Sequence, residues 1–329
     1  MAEKKIPPKA TKAPSPAEHA ATYQEVQKLH PLYFNIVKRR YWWFAISLLI
    51  LIPGIISLFM QGLNLGIDFK GGTMLDIKFS KPVSQTAITD TMKSVGLEGP
   101  VQLSNNDTSA LIRTSSLEEN QRNQLLSAIQ SQVGDFDKST LKEDQVGPSM
   151  GKELTQNALL ALGISAVLML IYIGFRFQLV FAISGIMALL HDVLVVVGLF
   201  SIFQWQVDST FVAAILTIFG YSINDTVVIF DRIRENENRM KRGESYEDMV
   251  DKSIWQTMGR SIKTVLTVII ALLCLLILGG ESLHTFALAM LIGVCAGAYS
   301  SIFNASQILV EIKNRMKSTR GGKASRAKA

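Results

Sequence analysis

Phe211-Val212-Ala213-Ala214-Ile215-Leu216-Thr217-Ile218-Phe219-Gly220-Tyr221-Ser222-Ile223-Asn224-Asp225-Thr226-Val227-Val228-Ile229-Phe230-Asp231-Arg232 is an apolar run that ends on the charged pair Asp231-Arg232 and carries a carboxylate, Asp225, inside it. About 20 residues of this character make a helix long enough to cross the hydrocarbon core of a bilayer. A charge near the centre of such a helix costs at least ~2.5–3.5 kcal/mol, so an intramembrane carboxylate marks a functional site by default.

The same pattern recurs along the chain. Of 329 residues 48% are hydrophobic and only 18% charged, and the apolar residues come in blocks. Phe44–Met60, Ala158–Ile173, Leu179–Phe203, Phe211–Phe230, Val265–Leu278 and Phe286–Val310 predict six spanning helices. Gly293, Gly297, Ser300, Ser301 and Asn304 dilute the sixth block, and small residues at that spacing suit close helix packing in lipid. The first block follows about 40 polar residues and has no small-residue exit, which excludes a cleaved secretory signal.

Basic residues set the expected orientation. Lys38, Arg39 and Arg40 precede the first span, and Tyr41-Trp42-Trp43 supplies an interfacial aromatic belt. Arg176 lies in the second turn, eight basic residues fall from Arg232 to Lys263, and seven lie from Lys313 onward. The short loops Gln204–Ser209 and Gly279–His284 hold no Lys or Arg. Both termini are therefore expected in the cytoplasm, with the loop from Gly62 to about Gln156 outside. The net charge of +6 is accounted for by these topology determinants, with no nucleic-acid partner.

The expected organisation is a disordered cytoplasmic tail over 1–40, a first span over 41–61, an outer domain over 62–152, spans two to six over 153–315 and a basic tail over 316–329. A cytoplasmic amphipathic segment is expected over 232–260, with Glu235–Trp255 as a surface helix. In the outer domain Thr73–Ser80 alternates like a strand, and Ser84–Val95 has helical periodicity with Ser84 at its N-cap. Val101–Leu103 and Ser109–Thr114 read as a hairpin about Asn105-Asn106-Asp107, followed by a helix over Leu117–Val133 and a strand over Ser139–Gln145. That order predicts a small α+β ferredoxin-like domain between spans one and two of an α-helical polytopic membrane protein.

Enzyme chemistry finds little support. Cys274 and Cys295 both lie inside spans, which points to packing rather than a disulfide framework. Gly147-Pro148-Ser149-Met150-Gly151-Lys152 is one residue short of a phosphate loop, and Glu153 replaces the required Ser or Thr. No metal site or cofactor is expected. The remaining chemistry lies in intramembrane polar groups: His191-Asp192 about fourteen residues into the third span, Asp225 in the fourth, and Arg260 at the mouth of the fifth. Tyr221, Asp225, Val228 and Arg232 follow i, i+4, i+7, i+11, a semi-polar stripe on one helical face. Asp225, Asp192 and His191 are candidate members of a proton relay with Arg260 as counter-charge. An interhelical hydrogen-bonding pair at His191-Asp192 and snorkelling of Arg260 to the interface are equally compatible with position. Asp231 reads as a solvated helix-end charge, and Arg232 and Arg234 as anchors.

Several stretches together resemble the SecD/SecF protein-export family. They are Gly66-Ile67-Asp68-Phe69-Lys70-Gly71-Gly72-Thr73 after the first span, Val146–Leu154 before the second, His191-Asp192-Val193 in the third and Gly220–Asn236 in the fourth. The Gly220–Asn236 segment looks like the SecF type rather than the SecD type, and the resemblance covers about Leu65 to Arg315. It implies a half-transporter of the resistance-nodulation-division superfamily, located in the bacterial cytoplasmic membrane, that pairs with SecD. Such a unit uses the proton gradient, with no cofactor, to assist late translocation of preproteins through SecYEG after SecA has acted, with YajC and a YidC-type insertase as further partners. By motif, Asp225 matches the family's proton-carrying carboxylate, and Arg260 in Gln256-Thr257-Met258-Gly259-Arg260 matches its neighbouring arginine. Two alternatives remain at this point: half of a proton-coupled efflux transporter, and a structural assembly factor with no proton chemistry.

Overall fold

A computed structural model describes residues 22–30, 33–104, 106–240 and 243–326. Among them six helices are long and apolar enough to cross a membrane: Val37–Met60, Ser149–Arg176, Leu179–Ile202, Ser209–Asn238, Tyr246–Leu278 and Leu283–Met316. In chain order, α1 is Tyr23–Leu29, α2 Arg40–Met60, α3 Ile67–Lys70, α4 Gln85–Ser94, α5 Glu119–Gln132, α6 Pro148–Arg176, α7 Leu179–Ile202, α8 Ser209–Asn238, α9 Tyr246–Leu278, α10 Glu281–Ser300 and α11 Ser306–Arg326. The π-helical turn Ser301–Ala305 joins α10 to α11 within the sixth span.

The spans differ in how much of them is covered. α7, α8 and the sixth span are about half buried, whereas α2, α6 and the spanning part of α9 turn mostly outward. Glycine sets the closest approaches. A Cβ on Gly54 of α2 would lie 2.9 Å from the Gly198 Cα of α7, and one on Gly297 of α10 would lie 3.2 Å from the Ser222 Cβ of α8. Backbones that touch in this way gain packing that larger side chains would block.

Between α2 and α6 stands a head domain. Its strands are β2 (Gly72–Lys78), β3 (Val101–Ser104), β4 (Ser109–Thr114) and β5 (Lys142–Val146), hydrogen-bonded in the order β3-β4-β2-β5 and all antiparallel. Alternation in β2 buries Leu75 and Ile77 with Ala110 and Ile112 of β4. Ile88 and Met92 of α4 and Leu125 and Ile129 of α5 complete that core. The opposite sheet face, with Met74, Asp76, Leu111, Arg113 and Lys142, lines a cleft above the bundle, closed by Trp205, Asp208 and His284. The expected β-α-β-β-α-β order is present, with the last strand at Lys142–Val146 because Lys138–Thr140 forms a 3-10 turn instead. The residues after Gly147 start the second span, with Pro148 in the first turn of α6, where a missing N–H costs nothing.

Three expectations need correction. Residues 22–30 and 33–40 of the anticipated disordered tail are ordered, while residues 1–21 lie outside the described part. α1 opens on a capping box between Thr22 and Glu25. The following segment is gripped by Asp251 of α9, whose carboxylate accepts from the Ile36 and Val37 N–H groups at 2.8 and 3.2 Å and from the Tyr33 hydroxyl at 2.7 Å. Burial, followed by the hydrogen bonds to Tyr23 and Asp251, pushes the Tyr33 hydroxyl above its ordinary range, so it stays a donor. The signal is short and irregular, and it becomes stable only against α9.

The segment 232–260 is likewise not a separate surface helix. α8 runs on to Asn238, α9 begins at Tyr246, and Met249, Val250, Ile254 and Trp255 are buried in the bundle end opposite the head. Asn236 Nδ2 donates to Ser253 Oγ and Gln256 Oε1, both at 2.8 Å, which locks the two helices together there. Finally, Cys274 and Cys295 are exposed on the outside of their helices rather than packed within the bundle.

Replacing Gly198 by Leu forces α7 away from α2 at a backbone contact. The expected loss is about 1–3 kcal/mol, read as a lowered Tm of the detergent-purified protein, with the head core unaffected.

Candidate functional site

α8 carries two stripes one residue out of phase, so about 100° apart around its axis. The first holds Ser222 and Thr226 and faces the bundle interior. Ser222 Oγ donates to Asp192 Oδ2 at 2.5 Å, and Ser300 Oγ at the end of α10 donates to the same oxygen at 2.8 Å. His191 Nδ1 lies 3.0 Å from the other Asp192 oxygen, and the imidazole stacks on Tyr299 with ring centroids 6.0 Å apart. Thr226 and Ser301 share a hydroxyl–hydroxyl bond of 2.8 Å at the start of the π-helical turn. Asp192 is wholly buried. This cluster is buried, and both oxygens of its carboxylate are engaged.

The second stripe holds Tyr221, Asp225, Val228 and Arg232 and faces α9. Tyr221 Oη donates to the Thr264 carbonyl at 3.5 Å, and Ser261 Oγ donates to Asp225 Oδ1 at 2.6 Å. Asp225 Oδ2 is buried and has no hydrogen-bond partner among the described residues. At 1.5 Å per residue Asp225 sits about 24 Å along α8 from its start at Ser209. A half-buried carboxylate with one oxygen held and one free has acceptor capacity to spare.

Arg260 is on the same side but makes no ion pair with Asp225 among the described residues. Its side chain is exposed and lines a cavity of about 240 Å³ with Val228, Asp231, Arg232, Glu235, Gln256 and Thr257. The direct neighbour of Asp225 is therefore Ser261, one residue beyond the expected Arg260. Sequence reading missed Ser261 because a serine in a helix is chemically anonymous until its partner is known. The structure also keeps the His191-Asp192 pair and the Asp225–Ser261–Arg260 group on different faces of α8, without a hydrogen-bonded chain joining them among the described residues. Asp231 departs from its expected solvated role: it receives Arg176 at 2.6 Å and Arg234 at 3.3 Å. Arg232 pairs with Glu235 at 3.0 Å. Among the described residues no cluster of three or more metal-ligating side chains is found.

The turn that joins the first span to the head is equally specific. Gly71 (φ +76°) ends α3, and Gly72 (φ +138°) starts β2, both in backbone regions that L side chains rarely adopt. A Cβ on Gly72 would lie 2.5 Å from the Thr114 carbonyl oxygen of the neighbouring strand. Asp68 of α3 accepts from the backbone N–H of Ser209 at 2.8 Å and from the Ser209 hydroxyl.

Two family profiles match the chain. "Protein export membrane protein SecD/SecF, C-terminal" covers residues 126–315, and "SecD/SecF GG Motif" covers residues 56–83, which include the glycine pair. The protein translocase subunit SecF of Sebaldella termitidis is 42% identical over 302 residues, covering 89% of this chain and 97% of that one. The SecF subunit of Acidaminococcus fermentans is 42% identical over 291 residues, covering 86% of this chain and 99% of its own. The crystal structure of SecDF, a translocon-associated membrane protein from Thermus thermophilus, superposes with a TM-score of 0.78 at 34% identity. That match covers 86% of this chain and 39% of the SecDF chain, so the chain spans about two fifths of that protein.

The two carboxylates are expected to respond differently to substitution. Asp192→Ala leaves the buried Ser222 hydroxyl without its acceptor, at about 1–3 kcal/mol for an unsatisfied group, and leaves the Ser300 hydroxyl only the Gly297 carbonyl at 3.3 Å. Asp225→Asn keeps an acceptor for Ser261. Thermal unfolding of the purified protein is expected to show a clear fall in Tm for the first variant and little change for the second.

Proposed function

The chain belongs to the SecD/SecF family of protein export membrane proteins, as a SecF-type translocase subunit, and from that premise we propose that Asp225 is its proton carrier. The chain would act with SecD in the bacterial cytoplasmic membrane and use the proton-motive force to assist late translocation of preproteins through SecYEG, with the proton gradient in place of a cofactor. The observation that carries this reading is the half-buried Asp225 carboxylate midway along a spanning helix, with one oxygen on Ser261 and the other unpartnered. A purely structural carboxylate would be engaged at both oxygens, as Asp192 is. Asp225 combines spare acceptor capacity with a position one helical turn before Val228, which lines the cavity that holds Arg260.

In the proposed cycle, a proton from outside neutralises Asp225, weakens its hold on Ser261 and its attraction to Arg260, and lets α8 shift against α9. Release of the proton towards the cytoplasm restores the contact. One charge moved across 100 mV is worth ~2.3 kcal/mol, about the size of one strong interhelical contact, so the gradient can bias a switch of this kind. We assign Asp192 and His191 to holding α7, α8 and α10 together around that switch, with Asp192 as a secondary relay candidate. The head is proposed to be ferredoxin-like and extracytoplasmic, both termini to be cytoplasmic, and SecA, YajC and a YidC-type insertase to be further partners. An efflux role is disfavoured by the small head, and a structural role without proton chemistry by the unpartnered Asp225 oxygen.

Asp225→Asn in a complex reconstituted with SecD and SecYEG is expected to abolish the gradient-dependent part of export while leaving co-purification of SecD unchanged. Normal gradient-dependent export by this variant would overturn the assignment.

A further inference from the structure

The proposed cycle moves α8 but does not say how the head follows, and the stem between the first span and the head supplies a connection. After α2 the chain forms the short strand β1 (Asn64–Leu65), which pairs in parallel with β6 (Gln206–Val207), the two residues ahead of the α8 cap. The Gly66 N–H continues the ladder to the Val207 carbonyl at 2.8 Å. Asp68, two residues on, then reaches the first residue of α8, accepting from the Ser209 N–H at 2.8 Å and from its hydroxyl. Four residues beyond Asp68 the chain enters β2, the strand hydrogen-bonded on both edges at the centre of the head sheet.

α8 thus has two carboxylates at its N-terminus, and they differ in what they join. Asp208 caps the helix from its own chain segment, accepting from Phe211 N–H at 2.9 Å and Thr210 Oγ1 at 2.6 Å. It moves with the helix and transmits nothing. Asp68 comes from 141 residues away and completes the cap from the head side. A carboxylate at a helix N-terminus meets unpaired N–H groups and the positive end of the helix dipole, so the contact resists separation. The intervening α3 is short and well fixed. A Cβ on Gly151 of α6 would lie 3.0 Å from the Gly71 N and 3.1 Å from the Phe69 carbonyl oxygen, so the start of the second span presses directly on it.

We propose that Asp68 is a positioning residue that ties the axial position of α8 to the central strand of the head. An axial displacement of the Asp225 helix would be delivered to β2 through Asp68, α3 and the Gly71-Gly72 turn. The glycine pair then has two tasks: it makes the turn, and it lets β2 leave α3 without slack. This inference rests on the proton-carrier reading of Asp225, and it concerns transmission rather than proton transfer.

The test uses the complex with SecD and SecYEG in vesicles and reads proton flux and preprotein export in the same preparation. In Asp68→Ala the expected result is preserved proton flux with export per proton reduced about fivefold or more, the factor that corresponds to losing a helix-capping side chain, whereas Asp68→Asn, which keeps an acceptor for Ser209, is expected to stay near the unsubstituted complex. The pair Asp68→Cys and Ser209→Cys supplies a covalent tie: oxidised, it is expected to restore export per proton, and reduced, it is expected to remain uncoupled. Unchanged export per proton in Asp68→Ala overturns the proposal. So does a parallel loss of flux and export, which a merely structural residue would give, or an oxidised pair that stays uncoupled. Absence of proton flux in the unsubstituted complex is a different result and overturns the proton-carrier reading itself.

Discussion

The single Ser261–Asp225 hydrogen bond is the contact on which the proposed switch depends. The two fully buried acids among the described residues are saturated: Asp192 by two serines and a histidine, Asp251 by two backbone N–H groups and two tyrosines. Saturation makes those groups expensive to disturb, because each lost partner exposes a desolvated charge. Asp225 has one hydroxyl donor and a free oxygen, so its contact with α9 can be made or broken at modest cost. Position and under-satisfaction together separate a movable joint from a fixed one.

Around that joint the bundle is built to be stiff. Glycine contacts bring α2 against α7 and α10 against α8, and the buried serine cluster joins α7, α8 and α10. At the end opposite the head, Asn236 locks α8 to α9 while Asp251 grips the segment ahead of α2. The π-helical turn at Ser301–Ala305 falls where α10 meets the Asp192 cluster. Insertions of this kind often accompany functional sites, since they re-aim side chains without ending a helix. Here it aligns Ser300 with Asp192 and Ser301 with Thr226.

Much of this was legible in the sequence, for reasons that differ by element. Spans are readable because lipid demands long apolar runs, so Phe211–Phe230 and its counterparts declare themselves. The head's order of elements was readable from alternation in β2 and the turn residues Asn106 and Asp107, which adopt positive φ. Asp225 was visible because a carboxylate is costly in such a run. What stayed hidden depended on tertiary partners. Ser261 and Ser300 look like filler until the carboxylates they serve are placed, and Asp68 looks like a surface acid until Ser209 arrives from 141 residues away. The polar stretch at 22–40 and the segment at 232–260 have weak periodicity because each is stabilised mainly by the other. Arg260 stood out in the sequence by its charge, but the choice of Ser261 as the direct contact of Asp225 depends on helix rotation, which a one-residue difference in register decides.

The most direct test of the account is carbodiimide mapping of the assembled complex across a range of outside pH, because the reagent modifies protonated carboxyls that can be reached within the membrane. The account predicts that Asp225 is modified, that the extent rises as the outside pH falls, and that Asp192 in the buried cluster stays unmodified. An Asp225 that is unreactive at every pH, or equally reactive at all of them, would contradict it.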